Sequence, residues 1–163
     1  MLDKISRLLR TGERTNIELA YKISRSQGLN LWPLERGIKD ILYKAKTQPS
    51  VDWENMPLGQ LCWLMNDIIA LEIKEARFDV FPNELHFFKN LVILELVNTP
   101  LPVFPEAILT LTRLKSLSLR NCGLTHIPEA LKQLPNLEHL HLQENPNLVY
   151  DAKDWTHLKS LTV

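Results

Sequence analysis

Residues 114–131 read LKSLSLRNCGLTHIPEAL, and this stretch decides the fold. Leu117 and Leu119 stand two residues apart, so in an extended chain both side chains point to the same face. A short apolar segment that begins with Pro128 comes next. Residues 91–108 read LVILELVNTPLPVFPEAI and show the same pattern 23 residues earlier. The pattern predicts a repeated unit of one short strand and one short helical turn.

The register continues in both directions along the chain. Repeats start at Ile68, Leu91, Leu114 and Leu137, each 23 residues after the last, and a fifth begins at Leu158. One unit of this size cannot bury its own apolar face, so neighbouring units must stack around a shared core. We therefore predict parallel strands side by side, and helical turns that begin at a proline in the first helical position.

This repeat resembles the leucine-rich repeat family, in the 23-residue form of intracellular Ras-group and bacterial-type proteins. The family template, Leu-x-x-Leu-x-Leu-x-x-Asn-x-Leu, is matched in the third repeat by Leu114, Leu117, Leu119, Cys122 and Leu124. The resemblance covers residues 68–163. It implies an α/β fold: a short right-handed leucine-rich repeat solenoid with a parallel concave sheet, short convex helices and an α-helical N-terminal cap.

The asparagine of the template bonds to backbone groups of neighbouring coils. Only Asn145 keeps it here, and Cys122, Thr99 and Ala76 stand at the equivalent positions. Cysteine and threonine replace the amide weakly, and alanine cannot replace it. We expect this ladder of hydrogen bonds to be weakest at the first repeat, where helix packing takes over.

Residues 1–56 are predicted to form a helical cap, and residues 57–163 the solenoid, whose first helix spans residues 57–66. The first cap helix ends at Gly12, a capping box at residues 15–18 begins the second, and Gly28 ends it. Pro33 begins a third helix, and residues 47–56 form a connection. Because a terminal coil must be shielded from water, capping is the expected role of this segment.

The net charge of zero hides an uneven distribution. Residues 1–50 carry ten Lys/Arg against five Asp/Glu, and residues 51–163 carry nine against fourteen. A basic segment leaves an alternative function open, a nucleic-acid or anionic-membrane-surface binder that uses the helices of residues 1–46. The turn at residues 28–31 is not followed by a base-reading set of side chains, so nucleic acid is the less favoured partner.

Cellular location is indicated by what the sequence lacks. Its apolar runs are shorter than the roughly 18 residues of a membrane span, and Met1–Arg10 has the pattern of an amphipathic helix, not of a signal peptide. Cys62 and Cys122 are too few for a disulfide framework or a zinc site. We predict a cytoplasmic protein with reduced thiols.

Side chains between the strand leucines are expected on the concave face. They grade from acidic to basic, with an apolar patch between, as a surface that binds a protein or peptide requires. The predicted partner-binding residues are Glu72, Lys74, Ile93, Glu95, Val97, Ser118, Arg120, His139, His141 and Gln143.

No enzymatic or cofactor chemistry is predicted on this face. Glu95, Ser118 and His141 align across three strands, but a catalytic triad needs the histidine between the carboxylate and the serine. Glu95 and His141 would stand roughly 10 Å apart. His139 and His141 offer two metal ligands without a convincing third, and there is no glycine-rich phosphate loop. We therefore predict a non-catalytic protein with no metal and no cofactor.

The fifth repeat is represented by Leu158, Leu161 and Val163. We expect Trp155 to cover part of the last core layer and the final strand to leave an unpaired edge. Such an edge can pair with a second copy of the chain, so self-association is a further hypothesis.

Overall fold

The computed structural model describes residues 2–45, 50–151 and 155–163. Four α-helices come first in the chain, and five strands follow them. The helices are α1 (Leu2–Arg10), α2 (Arg14–Ser26), α3 (Trp32–Lys44) and α4 (Leu58–Asp67). The strands are β1 (Ala70–Lys74), β2 (Ile93–Val97), β3 (Ser116–Arg120), β4 (His139–His141) and β5 (Ser160–Thr162). Among the described residues, 3₁₀ helices alternate with the strands at Asn83–Phe87, Glu106–Thr110 and Glu129–Gln133. This order confirms an α/β repeat fold preceded by helices.

All five strands pair in parallel and in sequence order, which gives one continuous sheet. The register aligns one leucine from each strand, Leu71, Leu94, Leu117, Leu140 and Leu161. The first four of these are buried. Each fully buried leucine stabilises the fold by about 1.5–3 kcal/mol, so the aligned row is a large part of the core. The predicted register is confirmed.

The prolines of the repeats lie one position earlier than predicted. Pro82, Pro105 and Pro128 precede the 3₁₀ helices and have extended backbone angles. Their carbonyl oxygens accept the first hydrogen bond of each turn, for example from Ile108 N at 3.0 Å and Leu131 N at 3.0 Å. The prediction of proline in the first helical position was therefore wrong. Each proline stands just before the helix, because its carbonyl accepts the first hydrogen bond of the turn.

The helix boundaries differ from the prediction in α2 and α3. The capping box at residues 15–18 does not form, since α2 begins at Arg14 after Glu13. Glu18 instead accepts a hydrogen bond from Arg14 Nε at 3.1 Å, and the Thr11 hydroxyl accepts the Glu13 amide at 3.1 Å. Helix α3 begins at Trp32, one residue before Pro33. The stops at Gly12 and Gly28 are confirmed by their φ angles of +69° and +61°, which favour glycine.

The helices continue the core of the solenoid beyond its first strand. Leu61 and Met65 of α4 are fully buried in the same apolar cluster as the strand leucines. Ala45, directly after α3, forms an antiparallel bridge with Ile73 and so covers the outer edge of β1. The predicted connection at residues 47–56 lies partly outside the described residues.

Asn145 holds the turn after β4 by five hydrogen bonds to the backbone. Its Oδ1 accepts from the amides of Cys122 and Leu124, each at 3.0 Å. Its Nδ2 donates to the carbonyls of Leu119 at 2.8 Å, Leu142 at 2.7 Å and Gln143 at 3.3 Å.

The residues that replace this asparagine in earlier coils bond more weakly. The Cys122 thiol donates to the Leu96 carbonyl at 3.3 Å, and the Thr99 hydroxyl donates to the Val97 carbonyl at 3.1 Å. Ala76 has no side-chain donor, so the ladder is weakest at the first repeat, as predicted.

No helix among residues 2–45, 50–151 and 155–163 is both long and apolar enough to cross a membrane.

Candidate functional site

The concave face is formed by side chains that alternate with the buried leucines along the strands. Glu72, Glu95, Ser118 and His141 lie side by side in one row across β1 to β4. Lys74, Val97 and Arg120 form a second row, and Ile93 and His139 lie in a third, on either side of Ser116. Nine of the ten predicted partner-binding residues therefore share one sheet face. Gln143 does not, because β4 ends at His141 and residue 143 lies in the following turn.

Both strongly basic residues of this face are neutralised within the chain. Lys74 pairs with Glu72, and this hydrogen bond raises the pKa of the Lys74 ammonium. Arg120 pairs with Glu144, with its Nε 2.9 Å from the carboxylate Oε1. Glu144 was not among the predicted partner-binding residues, and its pairing with Arg120 was not predicted from the sequence. A partner that needs a bare cation at Arg120 would have to displace this carboxylate.

The two histidines bond to hydroxyls of the neighbouring strand. His139 Nδ1 lies 2.8 Å from Ser160 Oγ, and His141 Nδ1 lies 2.7 Å from Thr162 Oγ1. The rings stack with their centroids 6.5 Å apart. Side-chain bonds thus reinforce the pairing of β4 with β5. In the described part of the chain, no three His, Cys, Asp or Glu side chains are arranged to hold a metal ion.

Glu95, Ser118 and His141 lie side by side across the strands in the predicted order. Ser118 stands between the other two, and His141 Nδ1 is bonded to Thr162 on β5, away from Glu95. A Ser-His-acid triad needs the histidine to bridge serine and carboxylate. The geometry of this row does not provide that bridge.

Strand β2 places an apolar, an acidic and a second apolar side chain on the concave face. Ile93, Glu95 and Val97 alternate with the buried Leu94 and Leu96. Ile93 is 39% exposed, an unusual position for a large aliphatic side chain on a sheet. Glu95 is half-buried and makes neither a hydrogen bond nor an ion pair with any residue that the structure describes. This series, which we call the β2 triplet, is the part of the face whose groups are left open.

A row of left-handed residues follows the strands. Glu75, Asn98, Asn121 and Glu144 have φ angles of 57°, 50°, 49° and 63°. Asparagine tolerates this conformation well and glutamate does so rarely. The backbone amides of Glu75, Asn98 and Asn121 donate to carbonyls of the next coil, for example Asn98 N to Arg120 O at 3.0 Å. These positions turn the chain away from the sheet, and the turn brings the Glu144 carboxylate to Arg120.

A second surface, missed by the sequence analysis, runs along the rim where the strands end. Val80, Val103 and Val149 are 82%, 78% and 77% exposed, and they share one repeat position, which His126 occupies in the third coil. A cavity of about 250 Å³ opens beside Val80 and Val103 and is also lined by Phe78, Pro100, Pro102 and Phe104. The 23-residue spacing of the valines was the available signal.

The basic helices carry many of their charges in pairs. Four ion pairs link residues one helical turn apart: Arg7 with Asp3, Arg14 with Glu18, Lys39 with Glu35, and Lys44 with Asp40. Paired cations have less charge to offer a polyanion. The alternative function assigned to residues 1–46 therefore gains no support from these side chains.

Sheet, register and turn asparagine together define a solenoid of stacked strand-and-turn coils. A sequence profile of the family described as leucine-rich repeats (2 copies) matches residues 112–160, less than a third of the chain. The chain therefore carries leucine-rich repeats, and the same register extends through the sheet to β1. Comparison with curated proteins found no match.

Two solved structures are similar in fold. One is an internalin (inlF) from Listeria monocytogenes str. 4b F2365, at 19% identity and a TM-score of 0.45 over 77% of this chain and 39% of that chain. The other is internalin C2 (inlC2) from the same strain, at 18% identity and a TM-score of 0.40 over 77% of this chain and 69% of that one. This chain spans well under half the length of the first.

Proposed function

We propose that this protein is a non-catalytic interaction module that binds a protein or peptide on its concave face. The observation that carries the proposal is the β2 triplet, an exposed Ile93 next to a carboxylate that forms no salt bridge with a described residue. Aliphatic anchors surrounded by polar groups are typical of protein interfaces. The bonded histidines and the Arg120–Glu144 pair hold the surrounding face in a fixed shape, which lowers the entropy lost on binding.

Substitutions on and off the face test this function. Ile93→Asp places a charge on the apolar anchor, and Arg120→Glu sets a second carboxylate beside Glu144. Both variants should lose partner capture from native cell extract, measured by quantitative mass spectrometry, while circular dichroism shows an unchanged fold. Val80→Asp is the matched control, because Val80 is exposed on the rim and not on the sheet. Capture that survives in both face variants and fails in the control would assign binding to the rim instead.

We also propose that the outer edge of β5 pairs with a second copy of the chain. Ser160–Thr162 pairs with β4 on one side, and no strand among the described residues pairs with it on the other. Unpaired backbone groups of an edge strand form a template for another strand. Light scattering over a concentration series should show a fraction of dimer that increases with protein concentration. A strict monomer at high concentration would contradict the proposal.

A cytoplasmic location is the third element of the proposal. Cys62 and Cys122 are free thiols, and both are buried. Burial raises the pKa of Cys62 to about 12 and that of Cys122 to about 11, so both are held as unreactive thiols. Fractionation of the native cells, followed by immunodetection, would show the protein in the cytoplasmic fraction; recovery from another fraction would contradict this location.

A further inference from the structure

We propose that the partner segment is extended and carries a basic side chain between two apolar ones on alternate residues, and that the basic side chain pairs with Glu95. This inference rests on the proposed function, since it assigns a chemical class to the ligand of the concave face. Three features of the face support it.

The first feature is the charge left over after the internal pairs are made. Glu72 is neutralised by Lys74, and Arg120 by Glu144. Glu95 forms no hydrogen bond or salt bridge with a described residue, although it is half-buried between Glu72 and Ser118 in the row, and its charge acts on Lys74 only at longer range. A partly desolvated carboxylate without a salt bridge of its own favours a cation from outside the chain.

The second feature is the spacing of the β2 triplet. Ile93, Glu95 and Val97 lie on alternate residues of one strand, and so Glu95 stands about 6.6 Å along it from each of the other two. An extended ligand segment has the same spacing between its alternate side chains. Such a segment can place an apolar side chain over Ile93, a basic one over Glu95 and a second apolar one over Val97 at the same time.

The third feature is the set of side chains beside the triplet on the neighbouring strands. Ala70 lies next to Ile93 on β1, and Ser116 lies next to it on β3. These small residues leave Ile93 39% exposed, so an apolar ligand group can reach it. The histidines of β4 are two strands away from the triplet and bonded to β5, so they leave the docking area free.

Matched peptides and matched variants test the charge pair. The probes are two capped pentapeptides, valine-serine-arginine-serine-valine and the same peptide with glutamine at its centre. In a titration at millimolar concentration, the amide NMR signals of Ile93–Val97 should shift with the arginine probe. Glu95→Gln should weaken that binding about fivefold, the size expected of one partly exposed charge pair. Glu75→Gln removes an exposed carboxylate at the end of β1 and should leave the affinity unchanged.

The outcomes separate the charge pair from the function itself. The inference is overturned if the two probes bind equally, if neither shifts these signals, or if the arginine preference survives in Glu95→Gln. Glu95→Lys should reverse the preference toward a glutamate-centred probe, which a merely structural role of Glu95 would not do. Loss of the native partner in Ile93→Asp with full retention in Glu95→Gln would leave the concave-face function standing and reject only the basic ligand.

Discussion

Asn145 shows at the scale of one residue how a side chain can organise a coil. Its amide satisfies two backbone amides and three carbonyls that the turn would otherwise leave without partners. Buried backbone groups are costly when unpaired, because they lose their bonds to water and gain none in return. The Cys122 thiol and the Thr99 hydroxyl each donate to two carbonyls, fewer contacts than the Asn145 amide makes, and so replace only part of it.

We predict that Asn145→Ala lowers the free energy of unfolding by about 3 kcal/mol, the cost of leaving several buried polar groups unpaired. Urea unfolding followed by circular dichroism measures this change. Asn147→Ala is the matched control, because Asn147 is exposed in the next turn and should change the stability by less than about 0.5 kcal/mol. Equal effects of the two substitutions would show that the ladder bonds contribute little.

His86 is a residue whose protonation opposes folding. It stacks on Phe87 with ring centroids 4.5 Å apart, and no described residue bonds to its Nε2. Burial, followed by the charge of Arg10, lowers the pKa of His86 below its ordinary value. In the unfolded chain this pKa is about 6.5, so the unfolded state binds a proton first as the pH falls.

Because of His86, the free energy of unfolding should decrease as the pH falls. The neutral ring has its full contribution above about pH 6.5, and the contribution decreases as the pH falls from there toward the lower folded pKa. We expect the wild type to lose stability between pH 7 and pH 5 more steeply than His86→Gln, in thermal melts across that range. His157→Gln, at an exposed position, should follow the wild type. Parallel profiles for the wild type and His86→Gln would contradict this assignment.

At the scale of elements, helix α4 replaces the coil that would precede the first repeat. Its face of Leu58, Leu61, Cys62 and Met65 is buried against the core, while Gln60 and Trp63 face outward. The ladder has only Ala76 at this end, so packing of the helix must supply the stability that an asparagine supplies at the fourth coil. The Ala45 bridge to Ile73 adds protection of the β1 edge.

We predict that Met65→Ala destabilises the whole chain by about 2–5 kcal/mol, the usual cost of a cavity at a fully buried methionine. Gln60→Ala on the exposed side of the same helix should be nearly neutral. Chemical unfolding monitored by circular dichroism would give both values. A loss of helix signal at Met65→Ala with an intact sheet would show instead that α4 is dispensable to the solenoid.

At the scale of the whole molecule, the apolar residues of helices and coils form one cluster. Trp53 and Trp155 are both buried in it, Trp53 shortly before α4 and Trp155 shortly before β5. In a stack of repeats each coil is stabilised by its contacts with the neighbouring coils. A short array of this kind is therefore expected to unfold as one unit.

Both ends should therefore respond to damage in the middle. Leu117→Ala in the central strand should lower the unfolding free energy by about 3 kcal/mol and move a single transition. The test compares variants in which Trp32, Trp63 and either Trp53 or Trp155 are replaced by phenylalanine, so that the one remaining tryptophan reports its own end of the chain. Coincident midpoints for the two probes are expected. Two separate transitions would show that the cap and the coils unfold independently.

Much of this fold is determined by the sequence alone. A 23-residue period with leucines on alternate strand positions has one low-energy solution, because only stacked coils bury every leucine. The strand register, the buried row and the alignment of Glu95 with Ser118 and His141 follow directly from that period. Asn145 was also predictable, since it stands at the asparagine position of the repeat template and its amide both donates and accepts.

Only the tertiary structure decided which side chains of the concave face are paired within the chain. Arg120 and Glu144 are separated by a full repeat, and they meet because the left-handed turn at Glu144 directs its carboxylate back across the sheet. His139 and His141 are committed to β5 for a similar reason, since paired strands bring hydroxyls within hydrogen-bond distance. Contacts of this kind depend on backbone angles and on distances between coils, which residue spacing does not encode. The 23-residue period thus determined the face, and the folded coils decided that Ile93 is exposed on it and that Glu95 forms no salt bridge with a described residue.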